Sequence, residues 1–128
     1  MKYFTEKEFT ASSVAEKLGI DNSIPNQEFR YNMQCLVDKI LDPCREMLGE
    51  PIYISSGFRT KELNRIVGGV PNSFHTIACA SDIYTIHLDK MIEILKTLPY
   101  TELIIYKNRG FVHVAYVSGR KEHELIYK

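Results

Sequence analysis

A chain of 128 residues that is 45% hydrophobic and 25% charged is one ordinary globular domain, 1–128, with enough apolar content for a core without staples. Sixteen basic residues cancel sixteen acidic ones and no Lys/Arg run stands out, which argues against nucleic acid as a partner. No apolar run approaches the ~20 residues that cross a bilayer, and the N-terminal Met-Lys-Tyr-Phe-Thr-Glu-Lys-Glu-Phe lacks the apolar stretch of a secretory signal. The expectation is a monomer made in the cytoplasm, with no signal peptide and no membrane insertion.

Along the chain, Thr5-Glu6-Lys7-Glu8 has capping-box spacing and predicts a short helical turn. Ser12 or Ser13 caps a second short helix that Gly19 ends, and 21–25 is a loop. The strongest helix runs from about 26 to 48. Phe29, Met33, Leu36, Val37, Ile40, Leu41, Cys44, Met47 and Leu48 recur there at three- and four-residue steps and make one apolar stripe. Pro43 predicts a kink or a break, because its ring displaces the carbonyl four residues back; Gly49 supplies the stop.

Residues 51–55 read as a strand, Gly57 as a turn, and 60–67 as a short helix capped by Thr60. Gly68-Gly69-Val70-Pro71-Asn72-Ser73 is irregular, with two glycines, a proline and two turn-forming polar residues. A strand follows at 78–84, then a helix at 89–98 with Met91, Ile94, Leu95 and Leu98 on one face and Pro99 at its end. Strands at 102–106 and 111–117 are joined by Lys107-Asn108-Arg109-Gly110 as a hairpin, and 124–127 can add an edge strand. Helices first and a mostly antiparallel sheet later make the class α+β, with N-terminal helices packed on a small sheet.

Three cysteines, an odd number, argue against a disulfide framework. Cys35 and Cys44 share a helix at a spacing of roughly 13 Å, too far for a bridge that needs about 7 Å or less. They read as small buried hydrophobes, and Cys79 as packing in spite of its place between two candidate ligands.

Those ligands carry the chemistry. His75 and Asp82 stand seven residues apart in Ser-Phe-His-Thr-Ile-Ala-Cys-Ala-Ser-Asp, and His113 lies in Gly-Phe-Val-His-Val-Ala-Tyr. A carboxylate or an imidazole in an otherwise apolar strand is costly unless a cation or donors satisfy it. Alternation puts His113 on one face with Phe111 and Ala115, and Val112 and Val114 on the other. Two imidazoles and one carboxylate are the protein half of a catalytic zinc site, which keeps a fourth position for water. His87, at a helix start, and His123, in the charged tail Arg-Lys-Glu-His-Glu, read as solvated residues.

Ser-Ser-Gly-Phe-Arg-Thr at 55–60, Asn64-Arg65 with Val67-Gly68-Gly69-Val70-Pro71-Asn72-Ser73, the His75–Asp82 spacing and Phe-Val-His-Val at 111–114 together resemble the M15 zinc peptidases. These include D-alanyl-D-alanine carboxypeptidases and related peptidoglycan peptidases; the likeness is to the small variants found in bacteriophages and bacteria and covers about residues 25 to 117. It implies a hedgehog/D-Ala-D-Ala peptidase-like fold and Zn2+ held by His75, Asp82 and His113. Arg59 then either binds a substrate carboxylate or helps polarise the scissile carbonyl, and Ser73 falls in the substrate cleft.

Two positions depart from the family pattern. Ala78 replaces a glycine three residues after the first histidine, a mild change provided the backbone there keeps φ negative. The family's carboxylate base, three residues before the last histidine or on the preceding strand, finds Gly110 and Tyr106 at those places. Glu102, Tyr106 or a loop residue can substitute, or the site holds zinc without turnover. The expected function is hydrolysis of amide bonds in peptidoglycan stem peptides, as a phage lysin or in cell-wall remodelling, acting at the bacterial wall after release. The rivals are a zinc-stabilised module that binds peptide or peptidoglycan, and an α+β domain with no metal.

Overall fold

The computed structural model describes all residues 1–128. Helix α1 (Glu6–Thr10) starts on the expected capping box, with Thr5 accepting from the Glu8 amide and Glu8 accepting from the Thr5 amide. Helix α2 (Ser13–Leu18) is capped by Ser12 and ended by Gly19 in the left-handed region. Asn26 caps α3 (Gln27–Leu36) by accepting from the Phe29 amide at 2.8 Å.

The chain then neither breaks nor stops at Pro43. A single π-helical turn, Val37–Leu41, leads into α4 (Asp42–Leu48), and the Asp42 amide donates to the carbonyl of Val37, five residues back. Pro43 has no N–H to give and its ring needs room against the preceding turn; widening that turn by one residue provides it. The stripe of this long helix is buried from Met33 to Leu48, except that Met47 is 55% exposed.

Strand β1 (Tyr53–Ser56), α5 (Lys61–Ile66), β2 (Ala80–Tyr84), α6 (Leu88–Lys96), β3 (Glu102–Tyr106), β4 (Phe111–Ala115) and β5 (Glu124–Tyr127) complete the chain. Between α5 and β2 a 3₁₀ turn, Phe74–Ile77, fills the four residues between the irregular segment at 68–73 and the strand expected from 78, and β2 itself begins at Ala80. The sheet order is β1-β2-β4-β3-β5, antiparallel throughout except for the parallel pair β3/β5. The α+β expectation holds.

The sheet uses its two faces differently. Ile83, Leu103, Ile105, Val112 and Val114 point into the core, where α4, α6 and the π turn cover them. The alternate residues, among them Asp82, Glu102, Tyr106, Phe111 and His113, line an open cleft on the other face. A period-2 pattern therefore separates the residues that hold the fold from those that do chemistry. All three cysteines are free thiols. No helix is long and apolar enough to cross a membrane.

Candidate metal centre

Strand register brings the ligands together. Asp82 on β2 lies directly opposite His113 on β4, and the 3₁₀ turn carries His75 over the same point. One ligand atom each from His75, Asp82 and His113 fits within 4.8 Å of the others. His75 Nε2 is 3.3 Å and His113 Nδ1 is 3.2 Å from Asp82 Oδ1. The two imidazoles meet edge to face, 5.1 Å between centroids. Cys79 is buried, belongs to no such cluster, and its thiol is pushed up to about 12 by burial, so it packs and does not ligate.

The remaining ring nitrogens have the partners a metal site needs. His75 Nδ1 donates to the carbonyl of Gly57 at 2.6 Å, leaving Nε2 for the centre. His113 Nε2 lies 2.8 Å from Glu102 Oε1, leaving Nδ1. An outer carbonyl or carboxylate that fixes the tautomer and aim of a ligating imidazole is the usual companion of a metal. Two neutral nitrogens and one oxygen, buried, convergent and aimed in this way, fit a zinc-type ion with an open position.

Several of these contacts depend on groups distant in sequence. Ser73 caps the 3₁₀ turn by accepting from the His75 amide at 3.2 Å, and it lines the cleft. Ala78 closes the turn with φ 63, in the left-handed region. The condition under which this departure would be mild, a negative φ, is not met: this chain places a methyl-bearing residue where the turn favours glycine, and it is fully buried.

Arg59 is held by three side chains. Nε donates to Ser56 Oγ at 3.0 Å, Nη1 to Asn64 Oδ1 at 2.8 Å, and Nη2 reaches Asp82 Oδ2 at 3.5 Å. Asn64 is buried and donates in turn to the carbonyl of Val70. A Cβ at Gly69 would fall 2.0 Å from Asn64 Oδ1, so that glycine is required by close approach. Asn22 brackets the backbone around Arg59, donating to the Phe58 carbonyl at 2.9 Å and accepting from the Thr60 amide at 3.0 Å. Reading the residues alone assigns no role to Asn22, Ser56 or Asn64. A five-residue spacing hints at the Asn64–Arg59 pair; nothing local signals Asn22, whose partners lie 12, 36 and 38 residues away.

The two alternative acid positions part company. Glu102, at the start of β3, is on the cleft face within reach of His113. Tyr106 is on the same face but four residues further along; Ile104, not Tyr106, is opposite His113, and the Tyr106 ring stacks on Phe111. Gly110 turns the hairpin with φ 77. His123 is exposed, as expected, but its ring also stacks on Tyr100 at 3.7 Å and bonds the Tyr100 carbonyl, docking the C-terminal segment.

The electrostatics follow from burial against pairing. Burial alone lifts the Asp82 carboxyl, but hydrogen bonds and charge from His113 and His75 outweigh it and hold the group well below the usual carboxylate range. Burial lowers His113, and Asp82 and Glu102 more than reverse that, raising it to about 9. Glu102 is lowered by its bond to His113. Without metal, a proton on His113 takes the place of the cation between two carboxylates.

An α+β sheet that presents a His/Asp/His set in an open cleft beside a fixed arginine has the arrangement of a metal-dependent hydrolase. The profile of the family described as Peptidase M15 matches residues 2–115, and the chain belongs to that family of metallopeptidases. Among curated proteins none matches the chain.

Proposed function

We propose that this protein is a zinc peptidase that hydrolyses amide bonds in peptidoglycan stem peptides. The observation that carries this reading is the convergence of His75, Asp82 and His113 in an M15 chain, with Glu102 bonded to the outer nitrogen of His113. When bound, zinc supplies Lewis-acid polarisation of water and of the scissile carbonyl. Asp82 and Glu102 are the carboxylates lining the cleft, and Asp82 is taken by the metal set. Glu102 Oε1 orients His113, and Glu102 is the carboxylate left in the cleft to accept the proton of the attacking water. Arg59 offers its unused N–H groups to a substrate carboxylate or to the carbonyl oxygen, in a direction set by Asn64 and Ser56. Ser73 lies across the cleft as a further polar contact.

The test joins metal analysis to digestion. Purified protein should bind one zinc, lose it when His113→Ala and Asp82→Ala are combined, and release fragments from purified muropeptides only when loaded. Arg59→Lys should keep zinc and lose binding of a D-Ala-terminated peptide, because an ammonium cannot make the forked contact. Zinc retained by the double variant overturns the ligand assignment. Zinc bound with no cleavage of any muropeptide favours the non-catalytic binding module.

A further inference from the structure

The cleft face carries more than the ligand row. One two-residue step along the strands, about 7 Å away, lies a second row, made of aromatic residues. Tyr53 on β1 is paired with Tyr84 on β2, and Phe111 on β4 with Tyr106 on β3. Continuing the β2/β4 register past Ile83 and Val112 sets Tyr84 opposite Phe111. Four rings therefore occupy one row across four adjacent strands, on the face of Asp82 and His113.

Their geometry is that of a platform. Tyr106 and Phe111 stack at 4.6 Å with 16° between planes, and Tyr53 and Tyr84 at 5.4 Å with 29°. Tyr53 is 49% and Tyr84 43% exposed, while Tyr106 and Phe111 line the cleft itself. Arg109 lies over both rings of the second pair, 5.6 Å and 5.1 Å from their centroids. The core is on the opposite face, so folding does not require this row to be aromatic; polar or small residues would serve an ordinary solvated sheet face.

We propose that this row binds the amino-sugar backbone to which a stem peptide is attached, a β-linked chain of N-acetylated hexosamines. The inference rests on the peptidoglycan reading of the metal cleft. Sugar rings present flat C–H faces that stack on aromatic faces, and their hydroxyl and acetamido groups find partners in three phenolic hydroxyls and one guanidinium. The row is also continuous with the metal cleft: a peptide lying across His113 brings its sugar to Phe111 and Tyr84.

The experiment uses the full chain, metal-free and zinc-loaded, titrated calorimetrically with a linear N-acetylglucosamine tetramer and with a glucose tetramer as control. The N-acetylglucosamine oligomer should bind in both metal states and more tightly than the glucose oligomer. Tyr84→Ala and Tyr53→Ala should each weaken it roughly tenfold, and Tyr84→Phe should preserve most of the affinity. With zinc loaded, both alanine variants should raise KM on sugar-bearing muropeptides and leave kcat and KM on the free stem peptide unchanged. Absence of sugar binding, binding indifferent to these substitutions, or a concentration-dependent dimer abolished by them overturns the proposal. Sugar binding by a protein that cleaves nothing upholds it while the peptidase reading fails, so the two failures are distinguishable.

Discussion

Glu102 is where the chemistry of single residues is most exposed to test. It is placed by strand pairing diagonally from His113, with its Oε1 at 2.8 Å from Nε2. Glu102→Gln keeps the shape and one hydrogen-bonding oxygen but removes the charge that supports the imidazole and, on the proposed reading, the proton acceptor. Zinc affinity should fall by about one order of magnitude, as expected for an outer partner of a ligand, and muropeptide hydrolysis by ~10²–10⁴-fold. A competition titration against a chromogenic chelator and a stopped digestion assay read the two effects separately. If hydrolysis survives at the wild-type rate, the proton acceptor is another group. Tyr106→Phe, by contrast, should leave turnover of the free stem peptide unchanged, because that ring stacks on Phe111, away from the ligands.

At the scale of elements, two local misfits on the approach to β2 give opposite expectations. Ala78 is strained by about 1–2 kcal/mol in the left-handed region, but its methyl is fully buried and worth about 0.8 kcal/mol. Ala78→Gly exchanges one for the other and should leave stability within about 1 kcal/mol of the parent. Ala78→Val adds a β-branch where none is tolerated and should cost more than about 3 kcal/mol. Ser81 sits on the core face of β2 with a buried Oγ that has no hydrogen-bond partner; Ser81→Ala should stabilise by up to about 1 kcal/mol. Chemical denaturation with a shared m-value checks all three. Equal loss from Ala78→Gly and Ala78→Val would mean that packing, not backbone conformation, governs the turn.

Taken as a whole, the molecule couples its N-terminal helices to its candidate metal ligands. The Phe58 amide donates to the Phe9 carbonyl of α1, and a Cβ at Gly57 would lie 2.6 Å from that same oxygen. Asn22 ties Thr10, Phe58 and Thr60 together. The Gly57 carbonyl so held is the one that aims His75. Asn22→Ala should therefore cost about 1–3 kcal/mol of stability by orphaning buried backbone groups and should weaken zinc binding as well; intact zinc affinity in a destabilised variant would show that the helices are only a cover.

Global stability should also depend on pH in a defined way. In metal-free protein His113 is raised from 6.5 to about 9, so its contribution is complete below pH 6.5 and is lost as pH rises through 9. Asp82 and Glu102 are lowered, so their contribution is present above their ordinary values and is lost on acidification. Thermal melts should peak between those limits. Zinc, which competes with the proton for His113, should bind more tightly across the range in which the metal-free protein weakens. A metal-free melting profile that is flat from pH 6.5 to 9 would contradict the buried ion-pair arrangement.

Helix α1 with its capping box, the Ser12 and Thr60 caps and the apolar stripe of 26–48 are legible in sequence because each is decided within one or two turns of chain. The ligand triad is legible for a different reason: Asp82 and His113 stand in apolar strands, where a polar side chain is costly until a cation or a hydrogen-bond partner satisfies it. Tertiary structure decided the rest. Pro43 predicts a disruption, but whether it breaks the helix or widens one turn depends on what is packed around it. Ala78 carries no mark of its positive φ, which is imposed by closing the turn that aims His75. Glu102 and Tyr106 are both residues on one strand in sequence; only the register against β4 sets the first beside His113 and the second in the aromatic row. Asn22 is the extreme case, since its three partners come from two distant segments and no periodicity connects them. Local rules read backbone propensity and alternation, whereas the site is built from contacts between segments, and those exist only once the sheet has chosen its order and register.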